Sequence, residues 1–266
     1  MSEKQRYFIE LAYDGTDLHG WQIQPNATTV QELLNDALFV VLREPVETTG
    51  CGRTDTGVHA RDFFAHFDFG SMVDSPLSIA DKSIDHGLST MDLIKTVTSL
   101  NAILPPTIAI KRIIPVHAEA HARFDATSRS YEYHVHFHKD PFKVNHSWQL
   151  RDKPDIALMN AAARIIMEYT DFSCFSKSNT QTYTNNCKIT RAEWVYSGHC
   201  LVFHITADRF LRNMVRAIVG TLMQVGRKEI QPEDVRAIIE SKNRSNAGTS
   251  VPACGLYLTE VKYKYF

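Results

Sequence analysis

The sequence predicts an α+β fold: two α/β halves sharing a mostly antiparallel central sheet flanked by helices, with a cleft between the halves. Three observations carry this. Segments rich in aromatic and β-branched residues recur along both halves of the 266 residues. Each half also holds a long segment whose apolar residues keep helical spacing. No Gly/Ser-rich linker separates the halves, so their strands have one sheet to share. The halves are taken as residues 1–115 and 116–266, with the boundary between about 105 and 145. At 44% hydrophobic and 22% charged residues, the chain can bury a large core and has an ordinary globular composition.

The elements follow in order. RYFIELAY (6–13) alternates and reads as a strand. In TTVQELLNDALFVVLRE, residues Val30, Leu33, Leu34, Ala37, Leu38 and Val41 form one helical stripe, and Thr29 with Glu32 forms a capping box that fixes its start. A glycine-rich turn, TTGCGRTDTGVHARDF (48–63), precedes the strand DFFAHFDF, so Asp55 sits on a loop between a helix and a strand. Residues 71–96 are polar with weak periodicity and read as an excursion or a partly helical insertion. TIAIKRIIPV and SYEYHVHFH are strands. DKPDIALMNAAARIIMEY is a helix with Asp152 as candidate cap and Pro154 in its first turn. RAEWVYS and LVFHITA pair as a hairpin around Ser197-Gly198. RFLRNMVRAIVGTLMQVG (209–226) and PEDVRAIIES are helices, and GLYLTEVKYKY is a closing strand.

Composition narrows the function. No run approaches the ~18 apolar residues of a membrane span, and the first residues do not resemble a signal peptide; a cytoplasmic protein without membrane contact is expected. Cys51, Cys174, Cys187, Cys200 and Cys254 show no CxxC pair and are odd in number, so free thiols are expected rather than disulfides or structural zinc. The net charge of −1 gives no global sign of a polyanion partner. Local surpluses exist: five Lys or Arg against one acid over 208–228, and seven against four over 105–151.

Four constellations carry possible chemistry. Asp55 lies on a DTG turn with Arg53 two residues before it. An aspartic protease would need a second carboxylate from a second copy, and a neighbouring cation opposes the shared proton of such a dyad. His134, His136 and His138 share one face of a strand, with His117 and His121 on HAEAH; a sheet face or a phosphate site competes there with a metal. Arg209, Arg212 and Arg216, spaced i, i+3 and i+7, make one cationic stripe on the predicted helix, opposite Leu211, Val215, Ile218 and Leu222. Tyr131 and Tyr133 face the same side of a strand, as core residues or as a stacking platform for an extruded base.

YDGTDLHGWQIQ, CGRTDTGVHA, RFDATSRSYEYHV, RFLRNMVRAIVGTLMQVG and PACGLYL, in that order and over nearly the whole length, resemble the tRNA pseudouridine synthase A family. Thr56 departs from the alanine usual there, and 71–96 is longer than expected. The resemblance implies an isomerase that converts uridine to pseudouridine at positions 38, 39 and 40 of the tRNA anticodon stem-loop. It further implies that Asp55 is the catalytic carboxylate, attacking C1′ or removing a C2′ proton. Arg53 then helps displace the target nucleotide, Tyr131 stacks on the base, Arg216 is the cation paired with Asp55, and Leu256 closes the pocket. The family is homodimeric, and the rearrangement carries no electron or group away, so no metal or organic cofactor is implied. A non-catalytic RNA-binding protein would use the same basic and aromatic surfaces without needing Asp55.

Overall fold

The computed structural model describes residues 4–70, 90–176 and 183–266. In chain order the elements are β1 (Gln5–Tyr13), α1 (Val30–Leu42), β2 (Thr49–Gly50), β3 (His59–Phe69), α2 (Thr90–Ile103), β4 (Ile108–Val116), β5 (Ser128–His136), β6 (Trp148–Gln149), α3 (Ile156–Ile166), β7 (Ile189–Ser197), β8 (Cys200–Ala207), α4 (Met214–Gly226), α5 (Asp234–Glu240) and β9 (Leu256–Lys262). The strands form one sheet in the order β4-β1-β3-β9-β5-β8-β7, with β2 beside β3 and β6 beside β5. Every pairing along that path is antiparallel except the parallel contact of β3 with β9, where His59 opposes Tyr257 and Ala60 opposes Leu258. The expected α+β architecture with a mostly antiparallel sheet is therefore present.

That parallel contact is the seam of the molecule. On one side β1, β3, α1 and α2 enclose a core of Phe8, Leu11, Leu34, Leu38, Phe63 and Phe67; on the other β5, β7, β8, α3 and α4 enclose Tyr133, Trp194, Phe203, Ile218 and Leu222. β9 serves both, placing Leu256 in the second core and Leu258 and Val261 in the first. Tyr131 packs against both cores. Each fully buried aliphatic or phenyl side chain contributes about 1.5–3 kcal/mol, so the two cores dominate the stability.

Local signals explain most boundaries. The capping box at α1 is formed: the Glu32 N–H donates to Thr29 Oγ1 at 3.3 Å, and the Thr29 N–H to Glu32 Oε2 at 3.4 Å. At α3 the cap is corrected. Asp155, not Asp152, accepts the Leu158 N–H, at 3.3 Å, and Pro154 precedes the cap. Both aspartates suit a cap, and the one whose carboxylate reaches the third helical amide defines the start. Residues 71–89 of the expected excursion lie outside the described residues. From Thr90 the chain is helical, in line with the partly helical alternative, and the helix runs on past residue 96 to Ile103, with Leu93, Val97 and Leu100 against the first core.

The helix expected over 209–226 is also corrected. It begins at Met214, because Asn213 holds a left-handed φ of 66°, which a right-handed helix cannot pass through. Arg209 and Arg212 therefore precede α4 and share no helical stripe with Arg216. All five cysteines are free, and Cys51, Cys174 and Cys187 are buried. No helix among the described residues is long and apolar enough to cross a membrane.

One buried titratable group ties the fold to pH. His66 on β3 is 7% exposed, and its Nδ1 accepts the Ala122 N–H at 3.1 Å. Burial, reinforced by His121 and Arg6, pushes its pKa from the usual 6.5 down to about 4. The unfolded chain then binds more protons than the folded one below pH 6.5, so stability is expected to fall between pH 6.5 and 4 and to level off there for this group. Urea unfolding at stepped pH should show that slope, reduced in His66→Gln; an equal slope in the variant would remove His66 as its source.

Candidate active site

The turn carrying Asp55 is held from several sides. Before it, the Cys51 N–H donates to Phe64 O at 2.7 Å. Within it, Thr54 O accepts the Trp21 N–H at 3.3 Å, and Thr54 Oγ1 lies 2.9 Å from the buried Tyr13 hydroxyl. After it, the Val58 N–H returns to Asp55 O at 3.2 Å and the Gly57 N–H donates to Leu18 O at 3.3 Å. Four residues beyond Asp55 the chain enters the β3–β9 seam at His59. The carboxylate is thereby placed where the two halves meet.

Two glycines show what this packing requires. Gly57 has φ 75°, which lets the chain reverse just after Asp55. Gly20, with φ 83°, lets the YDGTDLHGWQIQ segment pass so close that a Cβ would meet Thr54 O at 2.3 Å. Gly52, by contrast, has open space around it.

Asp55 faces two arginines from the far end of the sequence. Arg216 Nη1 lies 3.4 Å from Oδ2, and Arg212 Nε lies 3.7 Å from Oδ1. Arg216 is 21% exposed and Asp55 28%, whereas Arg212 is 53% exposed, so Arg216 is the better-sheltered partner. The Arg216 guanidinium is itself fixed, since its Nε donates to Val251 O at 2.7 Å. Both cations line a cleft of about 1040 Å³ together with Asp55, Arg53, Arg244 and His19. Arg53 is exposed and, among the described residues, takes part in no ion pair with an acid.

Asp55, Arg53 and Arg216 are thus brought together. Tyr131 and Leu256 are not on the cleft wall. Tyr131 lies half-buried on β5, edge-on to Phe210 with ring centroids 5.1 Å apart, and burial raises its phenol well above the usual value, with Cys51 and Asp55 adding to the shift. Leu256 is buried at the head of β9, opposite Tyr133. Sequence reading missed Arg212 as a partner of Asp55, and missed Arg244 and Asn213 on the wall. The motif containing Asn213 was visible, but its left-handed turn was not.

The histidine strand does not assemble a ligand set. His134 Nε2 pairs with Glu132 at 2.8 Å, His136 is buried, and His138 lies beyond β5. The three-group cluster among the described residues is Asp14, His59 and His146. Its atoms are engaged with one another and with the backbone. The Gly15 N–H donates to His59 Nδ1, His59 Nε2 faces Asn145 O and Cys254 O, and Asp14 accepts from Thr16 and bonds His146. That network pins the loop around 146 beside the seam, and the hydrogen bonds to Thr16 and His146 hold the Asp14 carboxyl down at about 2 despite its burial.

What the site can do chemically is limited by its contents: one carboxylate, held by two guanidinium groups, in an open basic cleft. Residues 169–264 match the family model described as tRNA pseudouridine synthase. The chain is 47% identical over 259 residues to tRNA pseudouridine synthase A of Parabacteroides distasonis, covering 97% of this chain and 96% of that protein. It is 48% identical over 262 residues to the protein of that name from Bacteroides thetaiotaomicron, covering 97% of this chain and 91% of the other. Against the one from Chlorobaculum tepidum the identity is 35% over 261 residues, with 98% of each chain covered. Similarity of this extent, running through both halves and the cleft between them, means that the chain belongs to the tRNA pseudouridine synthase A family, a family of isomerases.

Proposed function

We propose that the protein converts uridine to pseudouridine at positions 38, 39 and 40 of the tRNA anticodon stem-loop, with Asp55 as its catalytic carboxylate. The observation that carries this is Asp55 itself, 3.4 and 3.7 Å from two arginines in a basic cleft. A surface built only to hold RNA gains nothing from a carboxylate at its centre, because the acid repels phosphate and cancels positive charge needed for binding. Its presence favours an enzyme over a non-catalytic RNA-binding protein.

The chemistry suits these groups. The bond from C1′ to N1 of uracil breaks, the base turns while held, and C5 bonds to C1′; N1 ends with a proton and C5 has lost one. Atoms and electrons balance within the nucleotide. Asp55 acts on the ribose, and Arg216 and Arg212 orient its carboxylate by ion pairing. The target must first leave the stack, which costs a few kcal/mol. Arg53, exposed at the cleft and in no ion pair with an acid among the described residues, fills the gap in the stem. Tyr131 stacks on the base and offsets the cost by about 1–3 kcal/mol. Leu256, in the core on which Tyr131 packs, forms the apolar backing of the pocket. The working unit is a homodimer in the cytoplasm; a monomer by light scattering at micromolar concentration would contradict the dimer.

Unmodified tRNA transcript with uridine at 38 to 40, incubated with the protein and EDTA, should acquire carbodiimide-dependent primer-extension stops at those positions. Binding without stops would favour the non-catalytic reading. Tyr131→Phe is expected to keep stacking and much of the activity, and Tyr131→Ala to lose at least ~5-fold, the lower end of a stacking contact. Equal rates in both variants and the parent would remove Tyr131 from the base site.

A further inference from the structure

Arg129, two residues before Tyr131 on β5, has no carboxylate partner among the described residues. Its guanidinium is instead spread over four backbone carbonyls. Nη2 donates to Cys51 O at 2.9 Å and to Arg123 O at 2.6 Å; Nη1 donates to Ala126 O at 3.2 Å and to Asp208 O at 3.0 Å. All four terminal N–H groups are therefore used.

The acceptors belong to three separate segments. Cys51 opens the catalytic turn, four residues before Asp55, and its own N–H is tied to Phe64. Asp208 opens the turn that leads to Arg212 and Arg216; its N–H donates to Lys188 O, and its carboxylate accepts the N–H groups of Lys188 and Arg209. Arg123 and Ala126 belong to the turn that leads into β5. The proposed acid, its cationic partners and the proposed stacking residue thus stand on three pieces of backbone that one planar group joins.

We infer that Arg129 is a positioning residue of the isomerase, holding the turn of Asp55 in register with the turn of Arg212 and Arg216 through backbone carbonyls. This rests on the proposed function for its kinetic consequence, and on geometry alone for its structural one. Only a guanidinium suits the role, since its rigid fork offers four terminal N–H donors, whereas an ammonium is a single point with three. A misplacement of about 1 Å at a reacting group costs on the order of 10²-fold in rate.

The test uses the full chain with Arg129→Lys and Arg129→Ala. Single-turnover pseudouridine formation on tRNA transcript is expected to slow by ~10–100-fold in both, with the tRNA dissociation constant within ~3-fold of the parent. Added guanidinium ion should restore part of the rate to Arg129→Ala but none to Arg129→Lys. Amide hydrogen exchange should quicken in 51–57 and 208–213 and stay unchanged in α1 and α3. An Arg129→Lys protein as fast as the parent, weakened tRNA binding with an unchanged single-turnover rate, or unchanged exchange in both turns would each overturn the inference. If Arg129→Ala fails to fold, Arg129→Lys decides. Inactivity of the parent would instead count against the proposed function, and the exchange measurement would still test the joint.

Discussion

Asp55→Asn is expected to abolish pseudouridine formation while tRNA binding persists or tightens. The amide keeps the size and hydrogen-bonding reach of the carboxylate but cannot attack a carbon or take a proton. Removing a general base alone costs ~10²–10⁴-fold, and removing a nucleophile costs more. Binding should move the other way. Arg216 and Arg212, at 3.4 and 3.7 Å from the carboxylate, would no longer share their charge with it and would face phosphate unopposed. Filter binding at two salt concentrations, beside the primer-extension assay, separates the two effects. Joint loss of binding and activity would mean that Asp55 shapes the turn, and retained activity would remove it from the chemistry.

The second large effect is on stability, at a glycine inside α4. Gly220 on α4 packs against the backbone of residues 248–249 so closely that a Cβ would lie 1.9 Å from Thr249 O and 3.0 Å from Thr249 C. Helix propensity alone predicts that Gly220→Ala stabilises by about 1 kcal/mol. Overpacking of this kind costs about 1–3 kcal/mol and more where the obstacle is backbone. The backbone here is fastened: the Gly248 N–H donates to Thr221 Oγ1 at 2.8 Å, and Val251 is hydrogen-bonded to Arg216 through both its N–H and its carbonyl. The steric effect should therefore prevail, lowering the urea midpoint and the activity together, since Arg216 is held by the same segment. A midpoint equal to or above that of the parent would show that the segment can step aside at little cost.

What the sequence disclosed depended on the range of the interactions. The α1 capping box spans three residues and was legible as written, as were the seven longer strands, whose alternation is local; the two-residue β2 and β6 carry no such pattern. The start of α4 was not. Its apolar period runs unbroken back through Leu211, and only the left-handed Asn213 shows that Arg212 belongs to a turn. The pairing of Asp55 with Arg216, 161 residues apart, was reached through family resemblance, because charge patterning does not say which cation crosses a fold to meet which acid. Arg129 went unnoticed for a related reason. Its partners are carbonyl oxygens, which every residue possesses and no side-chain pattern betrays. The turn glycines look equivalent in the sequence, and only backbone angles and close contacts distinguish Gly50 and Gly57 from Gly52.

The position of β9 also bears on how the molecule comes into being. As the last strand of the sheet in chain order, it joins β3 to β5 and supplies apolar side chains to both cores. Contacts between residues so distant in sequence form slowly, because a long loop must close before they give any return. During synthesis the earlier strands can pair and collapse while β3 still has a bare edge beside the Asp55 turn. Recovery of activity on refolding should accordingly lag the return of helical signal. A chain without β9 would lack the strand that joins the two cores, and with it the seam beside which Asp55 meets Arg216.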